Sequence, residues 1–209
     1  MTPRTGVHIM TTRTRVSSGI FLAAVAAAGL SAVAMGVAGR WEAVLRFAVV
    51  AGIMLLARRA KVPVGFAAAF AVLILVAMWG SVQHWYRSPG EVDSLVHFLT
   101  PGSLAAVCYF LLVQARLLPD ARDPSVRTRS WAPIVWVGTT GTTAAVVWEY
   151  YEWAVEQLNP EGMIVGYTDT VIDIFAGMAG SLVAGALVVW WAQRSRTADA
   201  GTPPGAENT

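Results

Sequence analysis

Three short segments hold most of the side chains in this sequence that could do chemistry. They are Val92-Asp93-Ser94-Leu95-Val96-His97-Phe98, Trp148-Glu149-Tyr150-Tyr151-Glu152-Trp153, and Gly166-Tyr167-Thr168-Asp169-Thr170-Val171-Ile172-Asp173. Asp93 and His97 are four residues apart, Glu149 and Glu152 three, Asp169 and Asp173 four. On helices, each pair therefore shares one face. At about 1.5 Å per residue, Glu149 lies about 27 Å beyond Trp131, while His97 and Asp173 lie about 6 Å inside the starts of their helices. If the three helices adjoin, all three pairs fall in one shallow layer.

Carboxylates gathered this closely repel, so they must take up protons or a cation. A histidine among them either carries the imidazolium charge or ligates a metal. One imidazole with several carboxylates is a ligand set for Zn, Mn, Mg or Ca. The same groups suit general acid–base chemistry on a lipid or polyprenyl substrate. Expected catalytic and metal-holding residues are thus His97, Glu149 and Asp173 at the centre, with Asp93, Glu152 and Asp169 as companions. Plainer roles compete. Asp169 after Thr168, and Asp93, can simply cap helices. Glu152 can sit wet at an interface, Glu156 and Glu161 are read as solvated loop acids, and the central three can form a purely structural polar network.

The elements that must position these residues are apolar. Of 209 residues, 56% are hydrophobic and 13% charged, far below the quarter or so of a soluble domain. Mean hydropathy is +0.54, and nine Trp suit an interfacial aromatic belt. Apolar runs cover residues 19–39, 41–57, 62–79, about 92–118, 131–157 and about 168–191. Each approaches the roughly 20 residues needed to cross a bilayer, and none alternates like a barrel strand. An all-α membrane bundle of about six spans is expected. The first run follows a basic start, as a signal peptide would, but its length favours a retained span. The second carries Glu42 and Arg46, one turn apart, which could pair or let Arg46 snorkel. The expected division is a cytoplasmic tail (1–18), three N-terminal spans (19–91), a motif-bearing region (92–194) and a disordered polar tail (195–209). No repeat is visible.

Charge fixes the orientation. With six spans, Arg4, Arg13, Arg15, Arg58, Arg59, Lys61, Arg116, Arg122, Arg127, Arg129, Arg194 and Arg196 share one side, against Arg40, Arg46 and Arg87 on the other. That asymmetry places both termini in the cytoplasm and the acid/His cluster outward. The net charge of +2 is small and the basic residues are dispersed, so nucleic acid is not an expected partner. Membrane lipid is. Cys108, the one cysteine, allows no intramolecular disulfide and reads as a small apolar residue.

Two backbone features bear on the cluster. Pro101 has no N–H, so the carbonyl of His97 loses its helical partner; a kink should form there, with a carbonyl free for cations or water. Gly177, Gly180, Ser181 and Ala184 on one helix, and Gly138, Gly141 and Ala145 on the preceding one, should let the two pack closely.

From Val92 to Val188 the chain resembles the VanZ-like family and related uncharacterised bacterial inner-membrane proteins. Asp93, His97 and Phe98 match an Asp-x-x-x-His-Phe element. Trp148 to Trp153 is close to a Tyr-Glu-x-x-Glu-Trp element, and Asp169, Asp173 and Gly180 match an Asp preceding Asp-x-x-x-Asn-x-x-Gly. Gly177 replaces the Asn. The resemblance implies an envelope role, VanZ itself being linked to glycopeptide (teicoplanin) resistance, but no defined reaction. Three functions follow: a metal- or proton-dependent activity on an envelope lipid or amphiphile, a transporter or ion-binding protein using the acids as a relay, or an envelope accessory protein. The first three spans offer almost no polar groups at mid-membrane depth, which disfavours a transport path.

Overall fold

A computed structural model describes residues 12–59, 62–83, 85, 91–123, 125, 129–158 and 165–200. Arg4, Lys61, Arg87, Arg127, Glu161 and the tail beyond Ala200 lie outside them, as does the side chain of Arg13. Six helices follow one another: α1 (Thr12–Val37), α2 (Trp41–Arg59), α3 (Val64–Val82), α4 (Glu91–Gln114), α5 (Ala132–Leu158) and α6 (Tyr167–Ala200). The all-α bundle expected from the sequence is present. Two expected tails are partly helical: α1 begins at Thr12, and α6 continues through Ser195 to Ala200.

The helix ends have local causes. Gly39 adopts φ +72° after α1. Its N–H bonds the Gly36 carbonyl and that of Arg40 the Met35 carbonyl, the paired pattern of a Schellman C-cap. α4 ends the same way at Gln114, four residues before the expected Leu118. Arg116 takes the left-handed conformation at φ 60°, and the N–H groups of Arg116 and Leu117 bond the carbonyls of Val113 and Leu112. A left-handed arginine is not a stop signal that sequence reading finds. In α2, Glu42 in the first turn and Arg58 and Arg59 in the last complement the helix dipole.

Four helices, α1, α3, α4 and α6, are long and apolar enough to cross a membrane by their own composition. The other two expected spans are more polar. α2 carries Glu42, Arg46, Arg58 and Arg59. α5 carries Thr139, Thr140, Thr142 and Thr143 with Gly138 and Gly141, then Glu149 and Glu152. The hydroxyls of Thr139, Thr142 and Thr143 donate to the carbonyls of Val135, Gly138 and Thr139, so α5 satisfies much of its own polarity.

Packing divides the bundle into α1–α2–α3 and α4–α5–α6, joined mainly through α3 against α4. α1 contributes Phe21, Ala24 and Ala28 to the core, beside Met54, Phe70 and Tyr109. The α5–α6 and α4–α6 contacts are the most extensive. In lipid such contacts gain little from apolar burial as such, so close fit matters more. The expected glycine strips supply it. A Cβ on Gly180 would collide with the Phe98 carbonyl, one on Gly141 with Ser181, and one on Gly185 would stand 2.7 Å from the Ile134 Cα.

Cross-helix bonds show that the chain runs back and forth. At one end, Arg40 donates to the Val82 carbonyl (3.1 Å) and Arg46 to Ser81 Oγ (3.1 Å). At the other, Arg196 at the end of α6 donates to the carbonyls of Ala121, Arg122 (3.1 Å) and Asp123 (3.4 Å) in the α4–α5 loop. There Arg122 pairs with Asp120 at 2.7 Å. Burial raises the Asp120 pKa, but the hydrogen bonds and charge of Arg122 outweigh it and hold the carboxyl below its ordinary range. Arg58, Arg59, Arg116, Arg122, Arg129, Arg194 and Arg196 thus belong to one end, and Arg40 and Arg46 to the other, as the charge count requires.

Candidate functional site

The three motif segments meet at the second end, where α4 and α6 begin and α5 ends. Five of the six expected residues are buried: His97 and Asp173 are each 2% exposed, Glu149 5%, Asp93 6% and Glu152 8%. The burial of Glu152 speaks against the wet-interface role. Asp169 is half-buried in the first turn of α6, at the rim.

His97 is the hub. Its Nε2 lies 3.5 Å from Asp93 Oδ1 and 3.9 Å from Glu152 Oε1, and its Nδ1 lies 3.4 Å from Glu149 Oε1. These separations exceed the range of about 2.7–3.2 Å for N–H···O bonds. Asp93, His97 and Asp173 offer ligand atoms within 4.8 Å of one another, and so do His97, Glu149 and Glu152. Among the described residues, six buried side-chain atoms have no hydrogen-bond partner: Asp93 Oδ1, both ring nitrogens of His97, Thr100 Oγ1, Glu149 Oε1 and Asp173 Oδ1. Orphaned polar atoms inside a protein are rare and costly. Here they belong to one group of neighbouring residues.

Neighbours that sequence reading did not assign complete the site. Trp148 stands edge-on to His97, with ring centroids 5.4 Å apart, and its Nε1–H donates to Glu152 Oε1 at 2.7 Å. Thr170 on α6 lies beside Glu149 of α5, and Ser94 on α4 beside Asp173 of α6. All three lie within or beside the motifs, so the signal was present but unassigned. Thr100, one turn after His97, had no such signal.

Pro101 lies inside α4 as expected, and α6 approaches that turn, the position a Gly177 Cβ would take being 3.5 Å from both the His97 carbonyl oxygen and Pro101 Cγ. Gly177 is therefore a packing point: a Cβ there would come within 2.5 Å of that of Ala145. Glu156 is no loop acid. It lies half-buried in α5 and accepts the Val165 N–H at 3.3 Å, linking the end of α5 to the approach to α6. Arg46, read as pairing or snorkelling, pairs with Glu42 at 3.6 Å and also reaches Ser81.

Among the described residues, six helices, mostly apolar, around a buried knot of acids and one histidine define a multi-pass α-helical membrane protein. The chain belongs to the family described as predicted membrane protein (DUF2238), whose model matches residues 14–194. The match takes in α1 to α3, where the sequence shows no motif, and so treats both halves of the bundle as one unit. No curated protein and no solved structure matches the chain.

Proposed function

We propose that the protein binds a divalent cation at His97 and uses it on an envelope lipid or related amphiphile, at the outward face of a bacterial cytoplasmic membrane. The observation that carries this reading is the set of six partnerless buried atoms on neighbouring residues of α4, α5 and α6. A cation would satisfy Asp93 Oδ1, His97 Nε2 and Asp173 Oδ1 and offset the carboxylate charge, leaving Nδ1 and Glu149 Oε1 to pair with each other. An oxygen-rich set with one nitrogen suits Mn, Zn or Mg better than thiol-seeking metals. In this reading Asp93, His97 Nε2 and Asp173 hold the ion. Glu149 faces Nδ1 and accepts its proton, fixing the ring, as carboxylates do for metal-bound histidines. Glu152, oriented by Trp148 and 3.9 Å from Nε2, joins the ligand set and is also placed for proton transfer, and Asp169 at the rim draws cations in.

Metal analysis of the purified protein is the test. The wild type should hold a stoichiometric divalent ion, and His97→Ala and Asp173→Asn should lose it. A metal-free wild type after growth and purification without chelator would refute the reading. Growth under envelope stress supplies the functional arm, in which Glu149→Gln and Asp173→Asn should behave as a null strain.

A second reading, a non-enzymatic ion-binding or proton-relay protein, draws support from the depth of burial of the five central residues. The motif order shared with the VanZ-like family supports a third, an accessory role in envelope stress such as glycopeptide resistance.

A further inference from the structure

Arg46 is the feature of the site end that the cation site leaves unexplained. It lies in the second turn of a helix packed in the bundle, with its side chain only 20% exposed. An arginine at such a position in a membrane protein is costly and usually marks a site. Its described partners are modest. Glu42 is 3.6 Å away but 69% exposed, a weak pair. Ser81 accepts one hydrogen bond at 3.1 Å. A guanidinium carries five N–H donors, so donors remain.

Its direction is informative. The guanidinium carbon lies 5.8 Å from the centre of the Tyr151 ring, on α5. Tyr151 precedes Glu152 in sequence. Its hydroxyl lies near Ser81 and within electrostatic reach of Arg46, Glu42 and Glu152 alike. Tyr151 therefore stands between the cation of the first half and the acids of the second, and is itself 42% exposed. Of the described cations at this end, Arg40 is turned to the Val82 carbonyl, while Arg46 faces the second half.

Two poles of opposite character thus flank one accessible aromatic. An ion held among carboxylates attracts anionic oxygen, and so does a guanidinium, whose planar fork matches phosphate. A phosphate group offers several anionic oxygens and so suits both. Resting on the cation-dependent reading above, we propose that Arg46, with Tyr151 beside it, is the anion-recognition element of the site, and that the amphiphile bound there carries a phosphate headgroup shared between Arg46 and the cation at His97.

The test uses the full chain, purified in detergent and loaded with Mn2+. Retention of phosphatidic acid, phosphatidylcholine and inorganic phosphate is compared by native mass spectrometry, with metal content and melting temperature followed in parallel. The wild type should retain phosphatidic acid about tenfold better than phosphatidylcholine. Arg46→Gln should lower that retention about tenfold while keeping its metal. Ser81→Ala removes the structural anchor but leaves the cation, and should retain the lipid. Arg196→Gln, at the opposite end, should do likewise. Equal retention by Arg46→Gln overturns the proposal, as does a loss in Ser81→Ala or Arg196→Gln matching that in Arg46→Gln. Inorganic phosphate bound as tightly as the lipid overturns the lipid source. A wild type that takes up no Mn2+ refutes the cation reading. Lipid retention that still depends on Arg46 in such a protein would show anion recognition standing without it.

Discussion

At the scale of single residues, the centre of the site was legible because helical spacing is a strict constraint. Asp93 and His97, Glu149 and Glu152, and Asp169 and Asp173 fall on shared faces, and all but Asp169 are drawn into the buried knot. Trp148 was harder to read. A tryptophan near a membrane interface has an ordinary explanation, and only the fold reveals its indole N–H aimed at Glu152 Oε1. That bond allows a narrow test. Trp148→Phe keeps an aromatic edge against His97 but removes the donor. Losing an outer partner of a metal ligand typically lowers affinity about 10–100-fold. Competition of the Trp148→Phe protein with a fluorescent chelator should show a loss in that range, and unchanged affinity would mean that Glu152 is not a ligand.

At the scale of elements, the sequence placed all six helices, with most ends within a few residues. The misses occur where local signals ran out. Arg116 ends α4 in a conformation that sequence rarely announces in a non-glycine residue. The polar residues from Ser195 gave no sign that α6 runs on to Ala200. The glycines do form packing strips, but Gly180 serves α4 rather than the expected α5, and this can be measured. At Gly180 an added methyl would run into the Phe98 carbonyl, whereas at Gly52 nothing lies within 4 Å. Gly180→Ala should lower stability in detergent melts by about 1–3 kcal/mol, as overpacking does. Gly52→Ala should raise it by about 0.5–1 kcal/mol through helix propensity. Indistinguishable melts would mean that the α4–α6 contact is looser than described.

At the scale of the whole molecule, charge count and fold agree on a chain that alternates direction, with Arg46 and the acids at one end and the Arg196 clasp at the other. Reporter fusions at residues 40 and 200 should therefore report opposite faces, with residue 200 cytoplasmic. Fusions reporting the same face would break both the positive-inside assignment and the outward placement of the site. How the two halves meet was not legible, because contact between α3 and α4 depends on shape, and no motif marks it. The late position of the cluster also bears on biogenesis. Asp93 and Asp173 are 80 residues apart (173 − 93). At about 5–20 residues per second of synthesis, α4 waits about 4–16 s for α6. During that interval the unmatched carboxylate and imidazole of a freshly inserted helix must remain at the headgroup layer or under the shelter of the insertion machinery. α1 to α3 are by then already in the bilayer, a ready-made wall against which α4 can lean while its partners are still being translated.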